Sequence, residues 1–271
     1  MDLHPPLRSS RGVPESLVGA LRELARTPRL LVALDFDGTL APIVDRPGQA
    51  RALPASREAV LRLSRMPATR VALISGRALD SLERVAEVPD EVLLVGSHGA
   101  ELRLDRPGDG LRLDEEERRR VEALRAVLDE VAAPLDNVWI EPKPAGFALH
   151  TRLANERDSR VAHLVALREA TAEDEALTVR EGKDLLEFSV RSTTKGEAIE
   201  HLRGYTGATA VFFAGDDVTD EDGFAALGPA DVGLKAGTGA TGAEHRVEGP
   251  EQVALVLGTL AELREGDVHE Q

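Results

Sequence analysis

Cysteine is absent from the 271 residues of this chain. Without a thiol, the protein can form no disulfide, zinc–thiolate site, iron–sulfur cluster or cysteine nucleophile. Aromatic residues make up only 3%, and no stretch approaches the roughly 20 apolar residues that a membrane-spanning helix needs. The first residues also carry no long apolar run before a small-residue cleavage site, so we expect no signal peptide. These absences predict a cytoplasmic protein that does not interact with membranes.

Positive charge is scarce as well. Lysine and arginine total 33 against 48 aspartates and glutamates, which gives a formal net charge of −15. Because general nucleic-acid binding requires a basic face, we expect no nucleic-acid partner. We also expect a monomer. Only four lysines are present: Lys143, Lys183, Lys195 and Lys235. Such a composition is unexpected in an enzyme that acts on an anion.

Short apolar runs alternate with amphipathic segments over most of the chain. The runs at residues 30–34, 71–74 and 92–95 each end in polar or glycine residues, and a helical pattern follows the first two. Continuous apolar runs of this length are typical of strands buried on both faces of a parallel sheet. The pattern predicts an α/β fold with a doubly wound, mostly parallel, Rossmann-like sheet. Ser56 is the candidate N-cap of the second helix, and residues 230–237 are expected to form the last strand.

The order of elements changes after the Pro- and Gly-containing segment that ends near residue 110. Residues 108–190 predict the order αββαββ, and the strand–helix alternation resumes at residue 191. We therefore expect an inserted cap domain over 108–190, flanked by two parts of one core domain, 1–107 and 191–271.

Two aspartates end the first predicted strand in the sequence DFDGT. Ligands of open α/β sheets bind at the carboxyl ends of the strands, so Asp35 and Asp37 are candidate site residues. Paired carboxylates repel each other unless a cation lies between them, and all-oxygen ligands suit Mg²⁺. One carboxylate could also attack phosphorus as a nucleophile. The alternative is that Asp35 only caps the turn that follows the strand.

A second acidic group, GDDVTDED, follows the predicted strand AVFFA. Five carboxylates in seven residues at the end of a buried strand would repel one another strongly without a metal ion. We expect Asp216 to complete a metal site, with Asp217 and Asp220 supporting it. One or two of these side chains could instead be simple charges at a helix N-terminus.

Two further segments could bind an anion. Ser75, Gly76 and Arg77 follow a strand and present a hydroxyl and backbone N–H groups, although such a turn is also a common cap. Lys195 opens a predicted helix, where a positive charge opposes the helix dipole. A phosphate or a carboxylate nearby would compensate for this placement.

The ordered motifs resemble those of haloacid-dehalogenase-type phosphatases. More narrowly, LDFDGTLAPIV, ISGR, GSHGAE, EGKDLLEF, TTKGEAI and GDDVTDEDGF are similar to the trehalose-6-phosphate phosphatase family. The resemblance extends from about residue 28 to about residue 258. It implies hydrolysis of trehalose 6-phosphate to trehalose and phosphate through an aspartyl-phosphate, the final step of trehalose biosynthesis.

The resemblance also implies a role for each core motif. Asp35 would be the nucleophile, and Asp37 would be the general acid for the leaving sugar oxygen and then the base for water. Ser75 and Lys195 would hold the phosphoryl oxygens. Mg²⁺ would be bound by Asp35, the main-chain carbonyl of Asp37 and Asp216.

The substrate-binding residues implied by the resemblance lie in both predicted domains. In the cap, the E-x-K pair and the EGK turn would hydrogen-bond the disaccharide hydroxyls. The full set is Gly76, Arg77, His98, Glu141, Lys143, Arg152, Glu181 and Lys183. Ordinary roles stay open for some of them: Glu141 and Lys143 could be a strand-end ion pair, and His98 could be a packed loop histidine.

Three alternative functions remain open at the level of the sequence. Phosphatases of sucrose 6-phosphate or mannosyl-3-phosphoglycerate share this kind of core and have related caps. A non-catalytic sugar-phosphate sensor would not need the general acid Asp37. A nucleotide-sugar transferase with a DxD metal site is disfavoured by the late acidic motif and by the position of DFD near the N-terminus.

Overall fold

The computed structural model describes residues 12–105, 113–182 and 184–270. The chain forms two compact units, one of residues 1–109 with 194–271 and one of residues 110–193. The predicted boundary between residues 107 and 108 falls outside the described residues. Within the described part of the chain, no helix is both long enough and apolar enough to cross a membrane.

The larger unit, called the core unit below, contains one sheet with helices on both faces. Its described strands are β1 (Leu30–Leu34), β2 (Thr69–Ile74), β3 (Leu93–Gly96), β4 (Glu101–Arg103), β9 (Ala210–Gly215), β10 (Val232–Ala236) and β11 (His245–Val247). Its described helices are α1 (Glu15–Ala25), α2 (Pro54–Ser64), α3 (Leu79–Ala86), α6 (Lys195–Thr206), α7 (Asp220–Ala225) and α8 (Pro250–Glu270).

Strand β1 lies at the centre of the core sheet, whose order is β11-β10-β9-β1-β2-β3-β4. All pairings are parallel except that of β3 with β4. Strand β1 pairs on one side with β2, the next strand in the chain, and on the other side with β9, which comes much later. The strand order therefore reverses at β1, which makes it a topological switch point. In such sheets the ligand site forms at the carboxyl end of the strands next to that point.

All five residues of β1 are buried because the sheet is covered on both faces. Leu30, Val32 and Leu34 pack into the core formed with α1, α2, α3 and α8. Leu31 and Ala33 point the other way and pack with residues of α6 and α7. This alternation confirms the doubly wound α/β fold expected from the continuous apolar runs.

The smaller unit, called the cap unit below, contains an antiparallel sheet of order β5-β6-β8-β7. Its elements are α4 (Glu115–Ala132), β5 (Trp139–Lys143), β6 (Gly146–His150), α5 (Glu156–Glu173), β7 (Thr178–Gly182) and β8 (Leu185–Ser189). One sheet face packs against the two helices, and Phe147, Leu149 and Phe188 are buried there with Leu124 and Leu128 of α4. The other face carries polar side chains.

Three details differ from the sequence-based expectations. Helix α2 begins at Pro54 with Leu53 as its N-cap, so Ser56 lies inside the helix and the N-cap prediction was wrong. Proline is well suited to the first helical position because its φ is already helical and its missing N–H would have no partner there. The short edge strands β4 and β11 were not predicted, and β10 is therefore not the last strand.

Candidate active site

Asp35 follows β1 directly and is 5% exposed. The ammonium of Lys195, at the first residue of α6, donates a 2.7 Å hydrogen bond to Asp35 Oδ1 and a 2.5 Å bond to Asp220 Oδ1. Lys195 is 2% exposed, and a buried lysine requires such charged partners. The positive charge of Lys195, which is unfavourable at a helix N-terminus, is therefore compensated by two carboxylates.

Three carboxylates come together at this edge of the core sheet. One oxygen each of Asp35, Asp216 and Asp220 lies within 4.8 Å of the other two. Asp220 is fully engaged: its Oδ2 accepts hydrogen bonds from the amides of Asp216 and Asp217, at 2.9 and 2.8 Å. Asp216 accepts a 3.2 Å hydrogen bond from the hydroxyl of Thr39. Asp220 thus organises the loop, while Asp35 and Asp216 retain coordinating capacity.

The carboxylate cluster is electrostatically strained without a cation. Burial raises the pKa of Asp35 to about 8, since the charges of Asp220 and Asp216 add to the effect and Lys195 offsets only part of it. Burial, followed by the charge of Asp220, raises the pKa of Asp216 to about 6. The raised pKa values show that the charged forms of these carboxylates are disfavoured, and a bound cation would relieve their mutual repulsion.

The donor set at this edge fits a small divalent cation. All candidate ligands are oxygens, which hard cations prefer. Gly38 has a φ of 80°, and a Cβ there would lie 2.0 Å from Asp216 Oδ2. Only glycine therefore leaves room for the Asp216 carboxylate beside the backbone that carries Asp37. The cluster and this close approach together indicate a metal site.

Both carboxylate oxygens of Asp37 bind Arg77. The guanidinium donates from Nε to Oδ2 at 2.5 Å and from Nη2 to Oδ1 at 2.6 Å. The Arg77 side chain is 11% exposed, and its guanidinium lies 6.0 Å from the centre of the Phe36 ring. Arg77, which is predicted to contact substrate, is paired with Asp37. Proton donation by Asp37 would require at least one of these two bonds to open.

The loop after β2 is held by the loop that contains His98. Ser75 is buried, and its carbonyl accepts a 3.0 Å hydrogen bond from the amide of His98. A Cβ on Gly76 would lie 2.6 Å from two atoms of the His98 ring, so the imidazole packs directly on the Gly76 backbone. His98 itself adopts a left-handed conformation with φ 55°. Its position beside Ser75–Gly76–Arg77 brings three predicted substrate-binding residues to one place.

The trehalose-phosphatase family model matches residues 33–248, a span that includes the carboxylate cluster, the Ser75 loop and the cap unit. The chain belongs to the trehalose-phosphatase family. It is 33% identical to the trehalose-6-phosphate phosphatase of Escherichia coli over 239 residues, 85% of this chain and 87% of that protein. It is also 33% identical to the trehalose-phosphate phosphatase of Mycobacterium ulcerans over 268 residues, 90% of this chain.

Solved structures share the fold of this trehalose-phosphatase family member. The C-terminal domain of Candida albicans trehalose-6-phosphate phosphatase matches 96% of the chain, and 99% of that domain is covered, with a TM-score of 0.70 and 23% identity. The Aspergillus fumigatus trehalose-6-phosphate phosphatase matches 92% with a TM-score of 0.67 and 24% identity. The chain spans 66% of the length of its Mycobacterium ulcerans relative.

In the cap unit, the sheet face opposite the helices carries a polar cluster. Glu141 accepts a 2.9 Å hydrogen bond from Lys143 on one oxygen, and its other oxygen lies 2.7 Å from His150 Nε2. The His150 ring stacks on Trp139 with centroids 4.9 Å apart. Partial burial raises the pKa of Glu141, but the hydrogen bonds from Lys143 and His150 outweigh this effect and hold the pKa below its usual range.

Glu187 belongs to the same cluster and was not predicted from the sequence. In the sheet register, Ala148 pairs with both Glu141 and Glu187, and Glu187 pairs with Arg180, so these side chains share one face. Burial raises the pKa of Glu187, and the charges of Lys143 and Arg180 offset only part of that effect. The hairpin register, counted from the Gly182 turn, is the sequence signal that could have identified it.

Among the described residues, Glu181 and Arg152 were also predicted for the cap site, and neither joins this cluster. Glu181 pairs with Leu186, whose side chain packs in the helix-covered core, so Glu181 belongs to the opposite face from Glu141 and is exposed. Arg152 lies beyond the end of β6 and is exposed. Lys183 lies outside the described residues. The structure thus brings Glu141 and Lys143 together, but not Glu181 or Arg152 with them.

Proposed function

We propose that this protein is a Mg²⁺-dependent phosphatase that hydrolyses trehalose 6-phosphate to trehalose and phosphate, and that it performs the final step of trehalose biosynthesis. The observation that carries the proposal is the buried pair of Asp35 and Lys195 within a cluster of three carboxylates at the carboxyl end of β1. Membership of the trehalose-phosphatase family supports the choice of substrate.

Asp35 acts as the nucleophile in this proposal. Its carboxylate attacks phosphorus and forms an aspartyl-phosphate as the bond from phosphorus to the sugar oxygen breaks. Lys195, already 2.7 Å from Asp35 Oδ1, is close enough to neutralise charge on the phosphoryl oxygens. The Ser75 hydroxyl and the backbone amide of Gly76 complete the anion site in this proposal. The amide of Ser75 donates to the carbonyl of Val95, and that of Arg77 donates to Ser75 Oγ.

Asp37 moves the protons in the same proposal. It donates a proton to the leaving sugar oxygen and then takes one from the water that hydrolyses the aspartyl-phosphate. Because Arg77 occupies both oxygens of Asp37, we expect the pair to open when substrate arrives, with the guanidinium passing to the substrate phosphate. This exchange reconciles the predicted substrate contact of Arg77 with its observed partner.

Asp35, Asp216 and the main-chain carbonyl of Asp37 are the residues we propose to hold Mg²⁺. The bound ion supplies positive charge that stabilises the phosphoryl group and lowers the repulsion among the carboxylates. Asp220 and Thr39 orient Asp216 through the hydrogen bonds described above.

We further propose that residues 108–190 act as a substrate-recognising cap domain. The support is the polar face of the cap sheet, where the side chains of Glu141, Lys143 and Glu187 are partly desolvated. The indole ring of Trp139 lies on the same face. Fixed carboxylates beside an ammonium and a flat ring suit the hydroxyls and apolar faces of a sugar. Recognition of the disaccharide by this face would distinguish trehalose 6-phosphate from other phosphate esters.

A panel of phosphate esters tests the proposed function. The esters are trehalose 6-phosphate, sucrose 6-phosphate, mannosyl-3-phosphoglycerate and p-nitrophenyl phosphate, each assayed for phosphate release with Mg²⁺ and with EDTA. We expect kcat/KM for trehalose 6-phosphate to exceed that for each other sugar ester by at least about 100-fold, because mispaired polar groups at a hydroxyl-reading site are costly. EDTA should abolish turnover.

Similar kcat/KM values across the panel would contradict the assignment of substrate, and full activity in EDTA would contradict the metal site. Binding of trehalose 6-phosphate without phosphate release by the wild-type protein would favour the sensor alternative.

The cap model predicts different effects for two glutamates on neighbouring strands. Glu187→Gln is expected to raise KM for trehalose 6-phosphate about 10-fold, the cost of a lost charged hydrogen bond, with kcat/KM for p-nitrophenyl phosphate unchanged. Glu181→Gln should change KM less, because its side chain belongs to the opposite face of the sheet. Steady-state kinetics of the two variants decide the matter: a larger effect at Glu181 would support the sequence-based prediction and contradict the geometric one.

A further inference from the structure

Lys235 is a buried lysine outside all of the motifs discussed above. It is the fourth residue of β10 and is 3% exposed. Lysine is almost never buried to this degree unless its ammonium has partners that replace water. Its Nζ donates to the main-chain carbonyl of Asp217 at 3.0 Å and to Glu221 Oε1 at 3.2 Å.

The position of Lys235 in the sheet explains these contacts. Lys235 lies opposite Gly215 in the register of β10 with β9, and Gly215 is the residue directly before Asp216. Gly233, on the same face of β10, packs near Leu227 and Phe224, which places that face toward α7. The ammonium therefore reaches the turn between β9 and α7, the turn that carries Asp216.

That turn is held from two directions. The carboxylate of Asp220 accepts the amides of Asp216 and Asp217, and Lys195 holds the other oxygen of Asp220. Lys235 holds the carbonyl of Asp217 instead. A carboxylate and an ammonium thus bind the donors and the acceptor of adjacent peptide groups, which restricts the rotation of the backbone next to Asp216.

Lys235 also connects the turn to a second loop. Its partner Glu221 accepts a 2.8 Å hydrogen bond from the amide of Gly242 on Oε2. The side chains of Lys235 and Glu221 are 4% and 30% exposed, so water could compensate for the loss of this ion pair only in part. Loss of the ammonium would leave the Asp217 carbonyl without this donor and Glu221 without this cation.

We propose that Lys235 is a positioning residue for the divalent cation, which it serves by fixing the turn that presents the Asp216 carboxylate. The inference rests on the metal site proposed above and concerns a residue that does not itself touch the metal or the substrate. Groups that orient metal ligands typically change metal affinity by about 10- to 100-fold when they are removed.

The test is calorimetric titration of the metal-free protein with MgCl₂. Lys235→Met is expected to raise the Kd for Mg²⁺ by about 10-fold. At saturating Mg²⁺, kcat for trehalose 6-phosphate should return to near the wild-type value, since every catalytic group is still present. A merely structural role would lower Tm without changing the Kd for Mg²⁺.

Two further variants separate positioning from general stability. Lys235→Arg keeps the charge and the donors, so it should recover part of the Mg²⁺ affinity. Arg203→Gln removes another cation–carboxylate pair of the core unit, that with Asp231, whose carboxylate accepts from the amide of Val211 near the start of β9. This control lies at the opposite edge of the sheet and should leave the Kd for Mg²⁺ unchanged.

A folded Lys235→Met protein with the wild-type Kd for Mg²⁺ overturns the inference. Circular dichroism checks folding, and if the methionine variant does not fold, Lys235→Gln, which is shorter and uncharged, is judged by the same Kd criterion. The proposed function fails separately: a wild-type protein that binds Mg²⁺ in the calorimeter but releases no phosphate would refute the activity and leave the role of Lys235 to be read from the Kd.

Discussion

Asp35→Asn is expected to lower the turnover of trehalose 6-phosphate by at least about 10⁴-fold, because an amide cannot form the aspartyl-phosphate. The side chain is almost isosteric with aspartate, and it is held at the end of β1 in a buried position. Assays of phosphate release at saturating Mg²⁺ measure the effect. An unchanged rate would exclude Asp35 as the nucleophile.

For the same variant, we expect no loss of thermal stability, in contrast to the loss of activity. Burial and the charges of Asp220 and Asp216 raise the pKa of Asp35 to about 8, so its charged form is disfavoured in the metal-free protein. A neutral amide removes that cost, although it also weakens one of the two ion pairs of Lys195. We therefore expect the Tm of metal-free Asp35→Asn to be no lower than that of the wild type. A folded but inactive protein separates chemistry from misfolding.

Lys195→Met is expected to lower both turnover and stability. Loss of the ammonium removes a positive charge beside the phosphoryl site, which typically costs about 10³-fold in kcat. It also leaves Asp35 and Asp220 buried without their cation, and breaking a buried pair in this way costs about 3–5 kcal/mol of the free energy of unfolding. Urea denaturation and phosphate-release assays measure the two effects.

Lys195→Arg is the matched control for this prediction. The charge is retained, so we expect most of the lost stability to return. The activity should recover less, because the broader guanidinium cannot occupy the compact position between Asp35 Oδ1 and Asp220 Oδ1. Equal loss of stability in both variants would contradict the view that the charge of Lys195 is what stabilises the cluster.

Local patterns were sufficient for elements whose burial is uniform. Strand β1 was predicted at the residues where it occurs, because a strand covered on both faces must be apolar throughout. The start of α2 was predicted wrongly, since a serine near a helix start suggests a cap while Pro54 already provides the first helical turn. The edge strands β4 and β11 have three residues each, too few for a pattern to emerge.

Some features of the candidate site were also predictable from the sequence, and others were not. The grouping of Asp35, Asp216 and Lys195 was predictable because each follows a strand or opens a helix at the same edge of a parallel sheet. The pairing of Asp37 with Arg77 was not, since a side chain's partner depends on distances between separate loops. For the same reason, the family resemblance implied a sugar contact for Glu181 without indicating its face of the sheet, and only the strand register shows that Glu187 shares a face with Glu141.

The four lysines show what the sequence and the tertiary structure each contribute. From the sequence alone, three of the four lysines fell into motifs, and Lys235 had no role. The structure buries both Lys195 and Lys235 against the same acidic turn, so both counter the negative charge at the edge where a metal site is indicated. The net charge of −15 describes the whole chain and is compatible with a cation-binding centre.

By itself, the sequence determined the fold class, the inserted cap and the four core motifs, because apolar periodicity and strand-end chemistry are local properties. Only the tertiary structure decided which face of the cap sheet each glutamate occupies, which basic side chain binds Asp37, and which groups Lys235 contacts. Those answers depend on strand register and on contacts between segments far apart in the chain, and no local pattern encodes them.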